Sequence, residues 1–212
     1  MLKEEVQIVL EDVTLDGNLV IPDSPKGLVI FSHGSGSSRF SPRNNYVARL
    51  LQQNGMATLL FDLLTRSEDM LYENRFDIDR LTQRLIETTQ WVKGQKDIHN
   101  LALGYFGAST GAASALRAAA FFGNGIQAVV SRGGRPDLAL GELHGVEAPT
   151  LLLVGSFDTE VIRLNQKALD NLQCQKKMEI IPGASHLFEE PGKLREAANV
   201  ATDWFEKWFD QK

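Results

Sequence analysis

Apolar positions along this chain follow two patterns, and the change from one to the other outlines the fold. Val6 to Glu11 and Val13 to Ile21 mix apolar with polar residues and read as two strands of an antiparallel hairpin turning near Asp16-Gly17-Asn18. From Leu28 onward the strands become short and mainly apolar, as expected for strands covered on both faces. These are Leu28–Phe31, Ala57–Phe61, Leu101–Phe106, Gln127–Ser131, Thr150–Val154 and Met178–Ile181. Between them the apolar spacing becomes helical. Ser41-Pro42 supplies a capping side chain and then a proline suited to a first turn, and Asn54-Gly55 ends that helix after Gln53. Ile78, Leu81, Leu85 and Ile86 mark a helix over about Ile78–Val92, and Ala112–Phe122 is an alanine-rich helix. Further helices are predicted over Val161–Leu172 and Pro191–Asp210, the latter with Leu194, Ala198, Ala201, Phe205 and Trp208 on one face. Thr65 to Asn74 reads as a polar connecting segment. The alternation implies an α/β fold: a mostly parallel, doubly covered sheet of about eight strands with an antiparallel start.

Length and charge narrow the function classes. At 212 residues, the length fits one domain over 1–212 with ample core. The net charge of −5 and the absence of a Lys/Arg block argue against nucleic acid as a partner. One cysteine, Cys174, excludes an internal disulfide framework. The charged start Met1-Leu2-Lys3-Glu4-Glu5 lacks an apolar signal core, and no apolar run reaches the ~20 residues of a membrane span. These features predict a cytoplasmic protein with no membrane partner.

Ligands of open parallel sheets bind beyond the carboxyl ends of the strands, so the residues there carry the chemistry. Gly107-Ala108-Ser109-Thr110-Gly111 is a G-x-S-x-G sequence between a strand and a helix. A serine in that sharp turn is lifted out of the sheet at a helix N-terminus, where developing negative charge is favoured. An alcohol needs a neighbouring base to act as a nucleophile, and that base needs a carboxylate to orient it. Of the histidines His33, His99, His144 and His186, only His186 follows the last strand, in a glycine-containing loop that can reach back over the sheet. The acid is expected at the end of the preceding strand, where Asp158 stands; helix capping is its alternative role, and Glu160 is a second candidate acid. The oxyanion of acyl transfer needs N–H donors, expected from Thr110 and from Gly34 or Ser35 in His33-Gly34-Ser35-Gly36.

HGSG, GASTG, GSFD and GASH in this order resemble the α/β-hydrolase fold, and in particular its dienelactone-hydrolase-like branch, from Leu28 to Trp208. The segments Arg132–Leu138 and His186–Gly192 are also similar to that branch, whose domains occur alone or joined to phosphoribosyltransferases. The resemblance implies Ser109 as nucleophile, Asp158 as acid and His186 as base. The chain departs from true dienelactone hydrolases, whose nucleophile is a cysteine held by an acidic residue of the oxyanion loop. Here the nucleophile position is Ser109 and the loop reads HGSG, so the substrate does not carry over.

Arg39 and Arg132 also stand near strand ends. In the pocket they would favour a carboxylate- or phosphate-bearing substrate; alternatively each pairs with a local acid, for which Asp62 is placed. Ser131 to Thr150 leaves no room for a large lid, which favours small or water-soluble esters over long-chain lipids; any cover would come from Thr65–Asn74. The expected activity is hydrolysis of a small ester, thioester or lactone, without metal or organic cofactor. An acyltransferase with the same residues, and a non-catalytic domain assisting a nucleotide enzyme, are the alternatives.

Overall fold

A computed structural model of the chain describes residues 1–210. Eight strands form one sheet: β1 (Leu2–Val9), β2 (Thr14–Ile21), β3 (Leu28–Ser32), β4 (Ala57–Phe61), β5 (Leu103–Ala108), β6 (Ala128–Arg132), β7 (Thr150–Gly155) and β8 (Lys176–Ile181). Their order is β1-β2-β4-β3-β5-β6-β7-β8; β1 and β2 join antiparallel and every pair from β4 onward is parallel. Helices α1 (Pro42–Gln53), α2 (Arg66–Asp69), α3 (Ile78–Lys93), α4 (Gly111–Phe122), α5 (Thr159–Asn171) and α6 (Lys193–Phe209) fill the connections.

The two-residue period of the strands divides the interior into two cores. Leu28, Ile30, Leu103, Tyr105 and Val129 face α3 and α4, while Val29, Phe31, Phe106 and Val130 face α1 and α6. Both faces being covered is the reason these strands read as mainly apolar. The outer strands β1 and β8 are largely exposed and carry Lys3, Glu4, Glu5, Lys176, Lys177 and Glu179, charges that discourage further strand pairing.

The hairpin turns at a different place from the one predicted. Leu10 N–H bonds to Val13 O (2.9 Å) across Glu11-Asp12, whereas Asp16-Gly17-Asn18 lies inside β2. A Cβ on Gly17 would stand only 3.1 Å from the side chains of Val6 and Ile8, so this glycine answers crowding on the buried face of the strand. The Thr65–Asn74 segment is also more ordered than its polarity suggested. Thr65 and Glu68 form a reciprocal capping box on α2, a 3₁₀ turn covers Tyr72–Phe76, and buried Arg84 holds Glu68 and Asp12.

Chain direction across the sheet reverses around β3: β4 lies on one side of it and β5 on the other. The crevice at that switch point is formed where β3 and β5 end side by side, with Ser32 opposite Gly107. Close packing there depends on Gly111, where a Cβ would stand 2.1 Å from Ser32 O. Gly111→Ala is expected to lower unfolding stability by more than ~2 kcal/mol, because backbone must move to admit the methyl group. Gly141→Ala, with nothing within 4 Å of the new Cβ, is expected to cost less than ~0.5 kcal/mol. Urea denaturation of both variants checks the contrast.

Candidate active site

Among the described residues, Ser109 is one of three non-glycine residues with positive φ, at 51°. That left-handed conformation costs about 1–3 kcal/mol and persists only where its surroundings enforce it. They do so here: Ser109 O accepts from Ala112 N–H (3.1 Å) and Arg135 N–H (3.0 Å), tying the turn to α4 and to the loop after β6. A Cβ on Gly107 would meet Ala112 Cα at 2.5 Å, so glycine is required where β5 and α4 converge. The serine is thereby held at the mouth of a cavity of about 120 Å³ that also receives Gly34, Ser35, Arg132 and His186.

His186 Nδ1 and Asp158 Oδ2 lie 2.6 Å apart, with Asp158 the more buried partner. Several bonds fix their two loops together. Gly183 N–H donates to Ser156 Oγ (2.8 Å), Ser156 N–H to Ile181 O (3.0 Å) and Phe157 N–H to Ala184 O (3.0 Å). Only glycine fits at 155, where a Cβ would stand 2.3 Å from Ala184 O. On the far side of His186, Gly133 has φ 52°, and a Cβ there would lie 2.9 Å from His186 O. Asp158 makes no side-chain cap to α5, so its carboxylate is directed to the histidine. Glu160, the other acid considered, bonds Arg163 at 2.7 Å in solvent.

The HGSG loop bends back over Ser109. A Cβ on Gly34 would stand 3.0 Å from Ser109 Cβ, so a side chain here would crowd the serine. Ser35 N–H donates to Thr110 Oγ1 at 2.9 Å, which fastens the loop to the residue after the serine. His33 fixes the loop from beneath. Its Nε2 accepts from Leu63 N–H (3.1 Å), so Nδ1 carries the proton and donates to Gly34 O (3.0 Å). Burial pushes the His33 pKa down, which keeps this bridging imidazole neutral.

The two arginines occupy different surroundings. Arg132 ends β6, is buried, and lines the Ser109 cavity. Arg39 lines an adjoining cavity of about 330 Å³, where its guanidinium pairs with Asp62 and lies 3.4 Å from Asp16. Cys174 is half-buried, and desolvation raises its thiol pKa. Sequence reasoning passed over three contributors: the bridging role of His33, the Thr110 hydroxyl, and the first turn of α1, whose Arg43 and Asn44 line the cavity. Ser41-Pro42 marked that turn, but nothing in the local pattern says which way it faces. No group of His, Cys, Asp and Glu able to hold a metal ion occurs among the described residues. No described helix is long and apolar enough to cross a membrane.

Comparison with known proteins agrees with this architecture. The profile of the dienelactone hydrolase family matches residues 15–212. A crystal structure of a dienelactone hydrolase from Anabaena variabilis is 53% identical, covers 98% of each chain and superposes with a TM-score of 0.95. A Xanthomonas campestris protein described as an α/β serine hydrolase without lid shares the fold at 21% identity and TM-score 0.79, over 99% of this chain and 96% of its own. A Mycobacterium tuberculosis protein provisionally named a phosphoribosyl transferase is 54% identical over 95% of this chain; the chain spans 46% of that relative's length. The chain belongs to the dienelactone hydrolase family, and its fold is the α/β-hydrolase fold.

The buried His33 gives the fold a pH signature. Below about pH 6.5 the unfolded chain binds a proton that folded His33 resists, so stability is full above that pH and falls as pH drops, by up to ~1.4 kcal/mol per unit, until the folded pKa is reached. His33→Gln is expected to flatten that loss in urea unfolding measured from about pH 7.5 to 5.5. An unchanged slope contradicts the neutral bridging role.

Proposed function

We propose that this member of the dienelactone hydrolase family is a serine hydrolase that cleaves a small carboxylic ester, thioester or lactone. The observation that carries the reading is the 2.6 Å contact between His186 Nδ1 and Asp158 Oδ2 at a cavity that also holds Ser109 in its left-handed turn. Asp158 accepts a hydrogen bond from Nδ1–H and remains ionised, which leaves the Nε2 lone pair free to act as a base. Ser109 Oγ attacks the acyl carbon as His186 takes its proton. The tetrahedral intermediate puts negative charge on the former carbonyl oxygen, at the N-terminus of α4.

The oxyanion donors in this reading are Thr110 N–H and the backbone at Gly34 and Ser35. Ser35 N–H is held beside the reacting centre by Thr110 Oγ1 (2.9 Å), and a charged oxygen competes well against that neutral hydroxyl. Collapse of the intermediate returns the proton from His186 to the leaving group and leaves an acyl group on Ser109. Water then attacks the acyl-enzyme with His186 again as base, and Ser109 is restored. Each proton transfer runs through a side chain of this chain. The small cavity favours compact acyl groups, consistent with the short 3₁₀ turns over Pro136–Ala139 and Leu143–Gly145 that connect β6 to β7.

A fluorophosphonate probe followed by intact-mass measurement tests this directly. One adduct per chain is expected on the wild type and none on Ser109→Ala; a folded wild type that takes up no probe contradicts the proposal and returns the non-catalytic reading. Asp158→Asn is expected to lower kcat/KM for 4-nitrophenyl acetate by about 10²–10⁴ with the fold intact, because the imidazole loses its orienting acceptor. Thr110→Val removes the hydroxyl but keeps its backbone N–H. It is expected to lower kcat by about tenfold with little change in KM, as the loop donor loses its fixed position.

A further inference from the structure

One buried charge in the cavity has no part in this chemistry. Arg132 is only 6% exposed, and its Nε has no hydrogen-bond partner among the described residues. Nη2 makes a long bond of 3.4 Å to Asn44 Oδ1, and the Phe188 ring lies 5.7 Å from the guanidinium carbon. No carboxylate pairs with Arg132 among the described residues, and the one charge that shifts its titration is another cation, Arg43. Burial and that repulsion push the Arg132 pKa down to about 10, which leaves it charged at neutral pH. The comparably buried Arg84 is held by Asp12 and Glu68. A desolvated guanidinium without a counter-charge is costly, and an anion entering the cavity would remove that cost.

The first turn of α1 faces the same cavity and offers matching groups. Ser41 caps the helix, Pro42 has no N–H, and the N–H groups of Asn44 and Asn45 are taken by Ser41. Arg43 N–H has no bond among the described residues, and no acidic residue occupies that turn. Arg43 lines the cavity, and among the described residues its guanidinium pairs with the exposed Glu189 at 3.0 Å.

We propose that Arg132, Arg43 and the first turn of α1 form a receptor for a phosphate group on the substrate, so that the compound cleaved at Ser109 is a phosphorylated ester or lactone. The receptor stands on its own geometry, while its link to cleavage rests on the serine-hydrolase reading. A carboxylate presents two oxygens and one charge, which a single guanidinium satisfies. A phosphate presents three terminal oxygens and about −1.5 to −2 charge, which suits two guanidinium groups and a helix N-terminal N–H. The cavity of about 120 Å³ holds the phosphate close to the reacting carbonyl, so the acyl chain between them is short.

Calorimetric titration of wild type and Ser109→Ala with inorganic phosphate, alongside succinate and acetate, tests the receptor without needing turnover. Phosphate is expected to bind both proteins alike and to bind at least about tenfold more tightly than either carboxylate. Arg132→Met is expected to weaken phosphate binding by at least about thirtyfold, and Arg43→Gln by about three- to tenfold. Without ligand, Arg132→Met is expected to melt at or above the wild-type temperature, since it removes an unpaired buried charge. Should Arg132→Met not fold, Arg132→Lys supplies the comparison and is expected to bind at least about tenfold less tightly, its ammonium lacking the paired donors. Equal phosphate binding by wild type and both Arg132 variants, or tighter binding of succinate, overturns the inference. A Ser109 fluorophosphonate adduct with no phosphate binding overturns this inference alone; phosphate binding without an adduct overturns the hydrolase reading and the link to cleavage, and leaves the phosphate receptor standing.

Discussion

Close contact between bare backbone segments is the constraint on which the candidate site depends. Gly111 lets α4 start against Ser32 O, Gly107 lets β5 turn beneath Ala112, and Gly34 lets the HGSG loop cross Ser109. Gly111 and Gly107 have no room for a methyl group without backbone movement, and at Gly34 a methyl group would press on Ser109. Their combined effect is to hold Ser109 at φ 51°, a conformation that an isolated serine disfavours. The parallel sheet provides the frame, since β3 and β5 run side by side and end together at Ser32 and Gly107.

The same principle operates on the other side of the cavity. Gly155 and Gly133 allow the loops after β7 and β6 to press against the 183–186 loop, and a set of backbone bonds then fixes the Asp158–His186 distance. Loops built this way carry polar side chains at defined positions although they lie outside regular structure. His33 adds a third tie, joining the end of β3 to Leu63 after β4 through a neutral imidazole. Ser109, His186 and the HGSG loop are thus each braced by elements other than their own.

Much of this was legible in the sequence because it is local. Short apolar runs identified β3 to β7, the pattern at 178–181 located the edge strand β8, and the strand–glycine–serine–helix sequence at 103–122 located the turn. Ser109, Asp158 and His186 stand out in the sequence because each follows the end of a strand, β5, β7 and β8. Features set by distant packing were not legible. Asp16-Gly17-Asn18 carries turn chemistry, yet pairing with β1 on one side and β4 on the other makes it strand. Arg39 and Arg132 look alike in sequence, yet one pairs with Asp62 and the other is enclosed beside Ser109 without an acid. Arg43 and Asn44 reach the cavity only because α1 packs with its first turn toward it.

The central claim is that this geometry makes Ser109 the acyl acceptor, and trapping the intermediate tests it most directly. Acid quenching within milliseconds of mixing with 4-nitrophenyl acetate, followed by peptide mass mapping, reports where the acetyl group resides. The account predicts one acetyl group on Ser109, formed in a burst and lost on longer incubation. Acetylation at Cys174 or a lysine instead, or turnover with no acetylated peptide and no burst, would contradict it.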